Sequence, residues 1–253
     1  MYVESHAHYD FKQFDKDRNE LLSGLPAAGV TAVVNVGESI MSSYRSLKLS
    51  REYAFVYASV GVHPHNAKDM TSADLDTIRK LVMDPRCVAV GEIGLDYYHM
   101  RSSRENQLKW FQLQLEIAIE LEVPVILHCR DAVSDMLEIL RRYKVSRGVV
   151  HCFTEDVEAA IAFEKMGLYL GIGGVLTFPN AGEIIKGVRA VGLSRLLLET
   201  DCPYLAPEPH RGKRNDSRLI VHICDKVAQV LDVSHDEVAK VTSNNTRDLF
   251  GLI

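Results

Sequence analysis

No run of apolar residues approaches the ~20 that a membrane-spanning helix needs, so no membrane partner is expected. The opening MYVESHAHYD lacks the basic-then-apolar pattern of a secretory signal, which points to the cytoplasm. Cysteine is scarce: Cys87, Cys129, Cys152, Cys202 and Cys224 make an odd number with no Cys-x-x-Cys pair. That argues against a disulfide framework and against a cysteine zinc knuckle. Cys129 and Cys152 directly follow His128 and His151, so on a strand they face the other way and read as buried, reduced hydrophobes. Excess positive charge is missing as well. With 29 Lys and Arg against 34 Asp and Glu, the net charge of −5 disfavours a protein that coats a phosphate backbone. An enzyme that grips one phosphate through metal ions needs no such surface. Linkers, low-complexity tracts and obvious repeats are absent too, and no obligate protein partner is expected.

What remains is an ordinary globular composition, 47% hydrophobic and 25% charged over 253 residues. Eight β-like runs stand at 2–6, 31–36, 55–61, 87–91, 123–128, 148–152, 168–172 and 195–200, separated by amphipathic stretches. The clearest helix starts near Ser103 and sets Leu108, Phe111, Leu115, Ala118 and Ile119 on one stripe before Val123 and Pro124 end it. Thr71 with Asp74, and Ser234 with Glu237, have capping-box spacing. The strands are nearly all apolar (VAVG, VPVIL, RLLLE), which suits a parallel sheet buried on both faces. Eight βα units in about 250 residues favour a closed (β/α)8 TIM barrel over a doubly wound open sheet, and residues 1–253 are expected to form one domain of the α/β class.

His6, His8, Glu92, His128, His151 and Asp201 each stand at the end of a short apolar run. Metal ligand types recurring at strand ends are the mark of a site assembled at a barrel mouth. His6 and His8 are two apart, so both point to the same side of a strand. Four imidazoles and two carboxylates suffice for two divalent ions about 3.5–4 Å apart, bridged by one carboxylate, with a water whose pKa falls to about 7 as nucleophile. Glu199 and Asp201 share a face. Asp201, nearer the strand's end, is assigned to metal and to the nucleophile's proton, with Glu199 orienting a ligand histidine from behind. Four histidines lean toward zinc, manganese, cobalt or nickel, and oxygen-rich sites toward magnesium.

Candidate substrate contacts surround this set. His63 and His65 in GVHPH could donate to a phosphate oxygen, and Arg130 follows His128 at the mouth. Arg211, Lys213 and Arg214 lie in the loop after the eighth run, a common phosphate-binding region of barrels. Tyr97, Tyr98, Phe153 and Tyr204 stand just past strand ends, where a ring could stack on a base. Trp110 suggests no role beyond its helix.

From end to end the chain resembles the TatD family of metal-dependent deoxyribonucleases, within the amidohydrolase-like barrels. The resemblance is carried by SHAHYD (5–10), GVHPH (61–65), GEIGLDYY (91–98), PVILHCRDA (124–132), HCF (151–153), GIGG (171–174), ETDCPYLAP (199–207), RGKRN (211–215) and NNTRDLFGL (244–252). It implies His6, His8, Glu92 and Asp201 around one metal, Glu92, His128 and His151 around its neighbour, and DNA as the substrate cleaved from a 3′ end. Relatives that hydrolyse amides and lactones commonly bridge their metals with a carboxylated lysine, and Glu92 stands in its place here. Glu4 stands where the family often has Asp, Thr154 to Asp156 where a glycine is usual, and Asp216 and Ser217 where Glu and Pro are common. Hydrolysis of a small ester, lactone or amide, including an aminoacyl ester on RNA, is the alternative chemistry. A non-catalytic metal- or nucleic-acid-binding barrel is the third reading.

Overall fold

A computed structural model describes residues 1–252. Eight strands form one parallel sheet in chain order: β1 (Tyr2–Ala7), β2 (Val30–Val36), β3 (Val56–Val60), β4 (Cys87–Asp96), β5 (Val125–Arg130), β6 (Gly148–Val150), β7 (Tyr169–Ile172) and β8 (Leu196–Leu198). The sheet closes on itself. Ala7 bridges Cys202, the His8 amide donates to the Cys202 carbonyl at 2.9 Å, and the Asp201 amide donates to the His6 carbonyl at 3.0 Å. Among the described residues, nine α-helices follow in chain order: α1 (Arg18–Gly24), α2 (Ile40–Glu52), α3 (Ser72–Val82), α4 (Arg104–Glu120), α5 (Val133–Arg142), α6 (Val157–Lys165), α7 (Gly182–Val191), α8 (Ile220–Leu231) and α9 (His235–Phe250). The fold is the expected (β/α)8 barrel.

Alternation along the strands divides the apolar side chains between two cores. Val3, Ala32, Val34, Val36, Tyr57, Ala89, Ile126, Val149 and Leu197 pack together inside the barrel, closed at the bottom by Leu249, Phe250 and Leu252. The larger core lies between the sheet and the helices, with Val33, Leu95, Phe111, Leu127, Phe163 and Val227 among its buried members. No helix among the described residues is long and apolar enough to cross a membrane.

Helix starts follow local chemistry. The hydroxyls of Ser39, Ser103 and Ser234 and the carboxylate of Asp156 accept amide hydrogen bonds at the starts of α2, α4, α9 and α6. Thr71 and Asp74 form the reciprocal capping box; at Ser234 the hydroxyl half alone is described. The stripe expected on α4 is turned from its place. Phe111, Leu115 and Ala118 are buried, but Ile119 is 45% exposed while Gln107, Trp110 and Gln114 face inward. The two glutamines clamp backbone: Gln114 accepts from the Val62 amide at 2.7 Å and donates to the Val62 carbonyl at 3.1 Å, and Gln107 does the same for Asp96 at 2.8 and 2.9 Å. Apolar periodicity could not see a face whose partners are backbone polar groups.

Candidate metal centre

Two irregularities in strand register aim the site. Val3 points into the barrel, and simple alternation would send Ser5 and Ala7 after it. The register of β1 shifts between Glu4 and Ala7, so His6 and His8 face the barrel axis and Ala7 joins the outer core. On β4 a second shift between Val90 and Ile93 turns Glu92 inward. A Cβ on Gly91 would stand 2.6 Å from that of Ile126, so only glycine lets β4 lie this close to β5 there. Glu92 and Asp201 were expected at strand ends. Instead β4 runs four residues beyond Glu92, and Asp201 lies in the loop past β8 with a left-handed φ of 54°.

The six residues meet in one basin, and Glu92 stands at its centre. Its Oε1 lies 2.7 Å from His151 Nε2, 2.9 Å from His128 Nδ1 and 3.3 Å from His63 Nε2. Its Oε2 lies 3.4 Å from His6 Nε2 and 4.0 Å from His8 Nε2. Asp201 closes the second group, with Oδ1 3.4 Å from His8 Nε2 and 3.8 Å from His6 Nε2. One carboxylate thus divides its two oxygens between two imidazole sets. His63, expected as a substrate contact, is 7% exposed and sits within the cluster.

Electrostatics follow from crowding acids and imidazoles away from water. Burial opposes ionisation of Glu92, but the His151, His63 and His128 rings outweigh it and hold the carboxyl well below its usual range. Burial likewise disfavours a charged His8, yet Asp201 and Glu92 prevail and push it up to about 9. His151 is raised against its own burial by Glu92 and Glu199, and His128 by Asp96 and Glu92. His63 is driven down to about 3 by burial and the neighbouring His128, and burial with His151 lowers His6. Protons on some rings balance the carboxylates where divalent cations could do so. The donor geometry fits such ions: His6 Nε2 and His8 Nε2 face each other at 3.1 Å, a contact of two lone pairs unless a proton or cation lies between them.

Glu199 lies behind His151. Its Oε1 accepts from the Cys152 amide at 2.5 Å and approaches His151 Nδ1 to 3.5 Å, an ion-pair contact longer than a good hydrogen bond. A cavity of about 470 Å³ opens beside the cluster, lined by His128, Arg130, His151, Phe178, Asp201 and Leu205 among others. Arg130 lines the cavity and its guanidinium covers the Tyr98 ring at 4.3 Å, and the Arg211 guanidinium covers the ring of Phe178, a lining residue, at 3.6 Å. Arg214 is occupied elsewhere: its terminal nitrogens bond the Asp17 carboxylate at 2.8 and 2.5 Å, and its charge lies 4.8 Å from the Phe14 ring. Its fork faces a carboxylate of this chain instead of the cavity. Tyr98 and Tyr204 are exposed, Tyr97 is half-buried, and Phe153 and Trp110 are core residues.

Asp96 was overlooked in the sequence. It is wholly buried at the end of β4, and its Oδ2 meets His65 Nε2 at 2.8 Å, His99 Nδ1 at 3.0 Å and His128 Nε2 at 3.1 Å. The signal available was an acid four residues after Glu92 in GEIGLDYY, had the strand been read as continuing.

Residues 3–251 match the family model described as TatD related DNase. The chain belongs to this family. Across 95% of both chains it is 35% identical to the 3′-5′ ssDNA/RNA exonuclease TatD of Salmonella typhimurium. It is 37% identical to YabD of Bacillus subtilis, named an uncharacterized metal-dependent hydrolase, over 99% of each chain. Among solved structures, the TatD homologue YjjV of Escherichia coli superposes with a TM-score of 0.94 at 29% identity, covering 100% of this chain and 98% of that one. This TatD-family barrel therefore carries His, Glu and Asp clusters able to hold metal ions at its mouth.

Proposed function

We propose that this chain is a metal-dependent phosphodiesterase that removes nucleotides from the 3′ end of single-stranded DNA or RNA, with residues 1–253 acting as one catalytic domain. His6, His8, Glu92 and Asp201 would hold one divalent ion and Glu92, His128 and His151 a second, zinc, manganese or magnesium. His63 completes the wall of the second set. Such ions, when bound, supply an acidified water and neutralise phosphate charge.

The chain's own residues do the remainder. The Glu92 carboxylate fixes the spacing of the two sets by giving one oxygen to each. The Asp201 side chain is 13% exposed and lines the cavity, so it can take the nucleophile's proton as the attack proceeds. Arg130, which lines the cavity, and Arg211, which covers its Phe178 wall, would meet the entering phosphate oxygens. The cavity falls within the ~300–1,000 Å³ span of small-molecule sites, a fit for a chain end and not for a duplex laid across the surface. Five unpaired cysteines suit a reducing compartment, and we place the enzyme in the cytoplasm.

The division of Glu92 between two imidazole sets carries this reading. Its test is degradation of single-stranded oligonucleotides with open or blocked 3′ ends, before and after chelation and with each metal restored. Asp201→Asn is expected to remain folded and to lose about 10²–10⁴-fold in kcat. Full activity in Asp201→Asn, or rapid turnover of a small-ester panel with no nucleotide release, would overturn the assignment.

A further inference from the structure

Asp96 does more than orient His128. Its Oδ1 accepts a single bond, from the His99 amide at 2.7 Å, whereas its Oδ2 is approached by the three ring nitrogens. The ligand atoms of His65, Asp96 and His99 all lie within 4.8 Å of one another. The supporting backbone is fixed: Gln107 clamps both polar groups of the Asp96 peptide, and the Ser102 hydroxyl donates to the His65 carbonyl at 3.1 Å. Two imidazoles and one carboxylate converging on a point, with faces left open, form a donor set suited to a divalent first-row transition ion. His65 and His99 side chains are 21% and 35% exposed, so an ion can enter from solvent and keep positions for water or a phosphate oxygen.

We propose that His65, Asp96 and His99 form a third cation subsite, separate from the proposed pair and divided from it by the His128 ring. That ring turns Nδ1 to Glu92 and Nε2 to Asp96, and the two nitrogens of an imidazole point apart. The subsite adds to the paired-ion reading, yet its three residues are its own.

The test counts ions. Metal-free wild type, His99→Ala and Glu92→Gln are dialysed against Co(II), and bound ion is measured by mass spectrometry and by the visible bands of cobalt. Wild type is expected to bind one ion per chain more than His99→Ala. The ring at position 99 is a third exposed, so its loss should leave the metal-free melting temperature unchanged. Glu92→Gln should lose the pair and retain the His99-dependent ion, which separates this subsite from the pair. Equal ion numbers and affinities in wild type and His99→Ala would overturn the proposal, whatever the fate of the pair.

Discussion

Gly171 on β7 offers a sharp test of how the centre is held. A Cβ there would stand 2.2 Å from Glu199 Oε2, 2.8 Å from its Cδ and 3.0 Å from the His151 Cα. Glu199 is wholly buried and tied by Oε1 to the Cys152 amide, so it cannot swing aside without losing that bond. Relief in Gly171→Ala therefore requires a displacement of about 1 Å of Glu199, of the His151 backbone, or of both. Overpacking of this kind costs about 1–3 kcal/mol. In a chain of this size that lowers Tm by roughly 2–12 °C. Because the displaced carboxylate is the one facing His151 Nδ1, metal affinity should also fall, by about 10–100-fold. Titrating metal-free protein with Zn(II) in a calorimeter, with a thermal melt of the same sample, measures both. Gly24→Ala, where nothing lies within 4 Å of the added carbon, should be neutral in both assays. A Gly171→Ala protein that binds ions and melts as wild type does would refute the claim that this glycine makes room for Glu199.

Two further outcomes follow from buried charge. Glu4 is wholly buried and its pKa rises from 4.5 to about 7, because burial outweighs the hydrogen bonds from Thr200 and the His6 amide. Its contribution to stability is fully present below about pH 4.5 and is lost as pH climbs to about 7, a loss of about 3 kcal/mol. Chemical denaturation of metal-free wild type and Glu4→Gln at pH 5 and pH 8 should show a decline smaller by about 2–3 kcal/mol in the variant, the remainder coming from His8 and His151; parallel declines would exclude Glu4 as a cause. Metal affinity should rise with pH up to about 9, since below that value a proton on His8 must leave before a cation binds. Zn(II) binding at pH 7, compared calorimetrically in buffers of different ionisation enthalpy, should release about two protons, from His8 and His151. Binding without proton release would contradict that charge assignment.

The barrel and the residues that meet in its candidate site were legible because they follow from composition along short windows. Strands buried on both faces must be apolar, and a polar residue closing such a run, as His128 or His151 does, is conspicuous. Geometry that depends on register was not legible. The shift between Val90 and Ile93 turns Glu92 inward, and nothing in VAVGEIG announces it except glycines that also suit a plain turn. The same shift carries β4 on to Asp96, which looked like a loop acid because the strand was expected to stop at residue 91. Arg214 and the α4 glutamines escaped for another reason: their partners are Asp17, Val62 and Asp96, distant in sequence and chosen by the fold. Polar side chains disclose their partners only when the partner is local, as at Thr71 and Asp74.

Charge links metal loading to substrate capture. The chain carries a net charge of −5, and the basin gathers Glu92, Asp96, Glu199 and Asp201, all but Asp201 nearly inaccessible to solvent. Protons on His8 and His151 help hold this set together without metal, but they are bound within it and directed at the carboxylates. On the proposed reading, a phosphate entering the cavity would meet Arg130 on its wall and Arg211 over Phe178. Replacing one proton by a divalent ion adds a unit of positive charge and opens coordination positions toward the cavity, so substrate and cation must strengthen each other's binding by the same factor. A net negative charge would then have a use: it would leave long stretches of nucleic acid unbound and restrict grip to the one place where metal would be held. That restriction would suit the exonuclease proposed above, for which a coating affinity would only slow release.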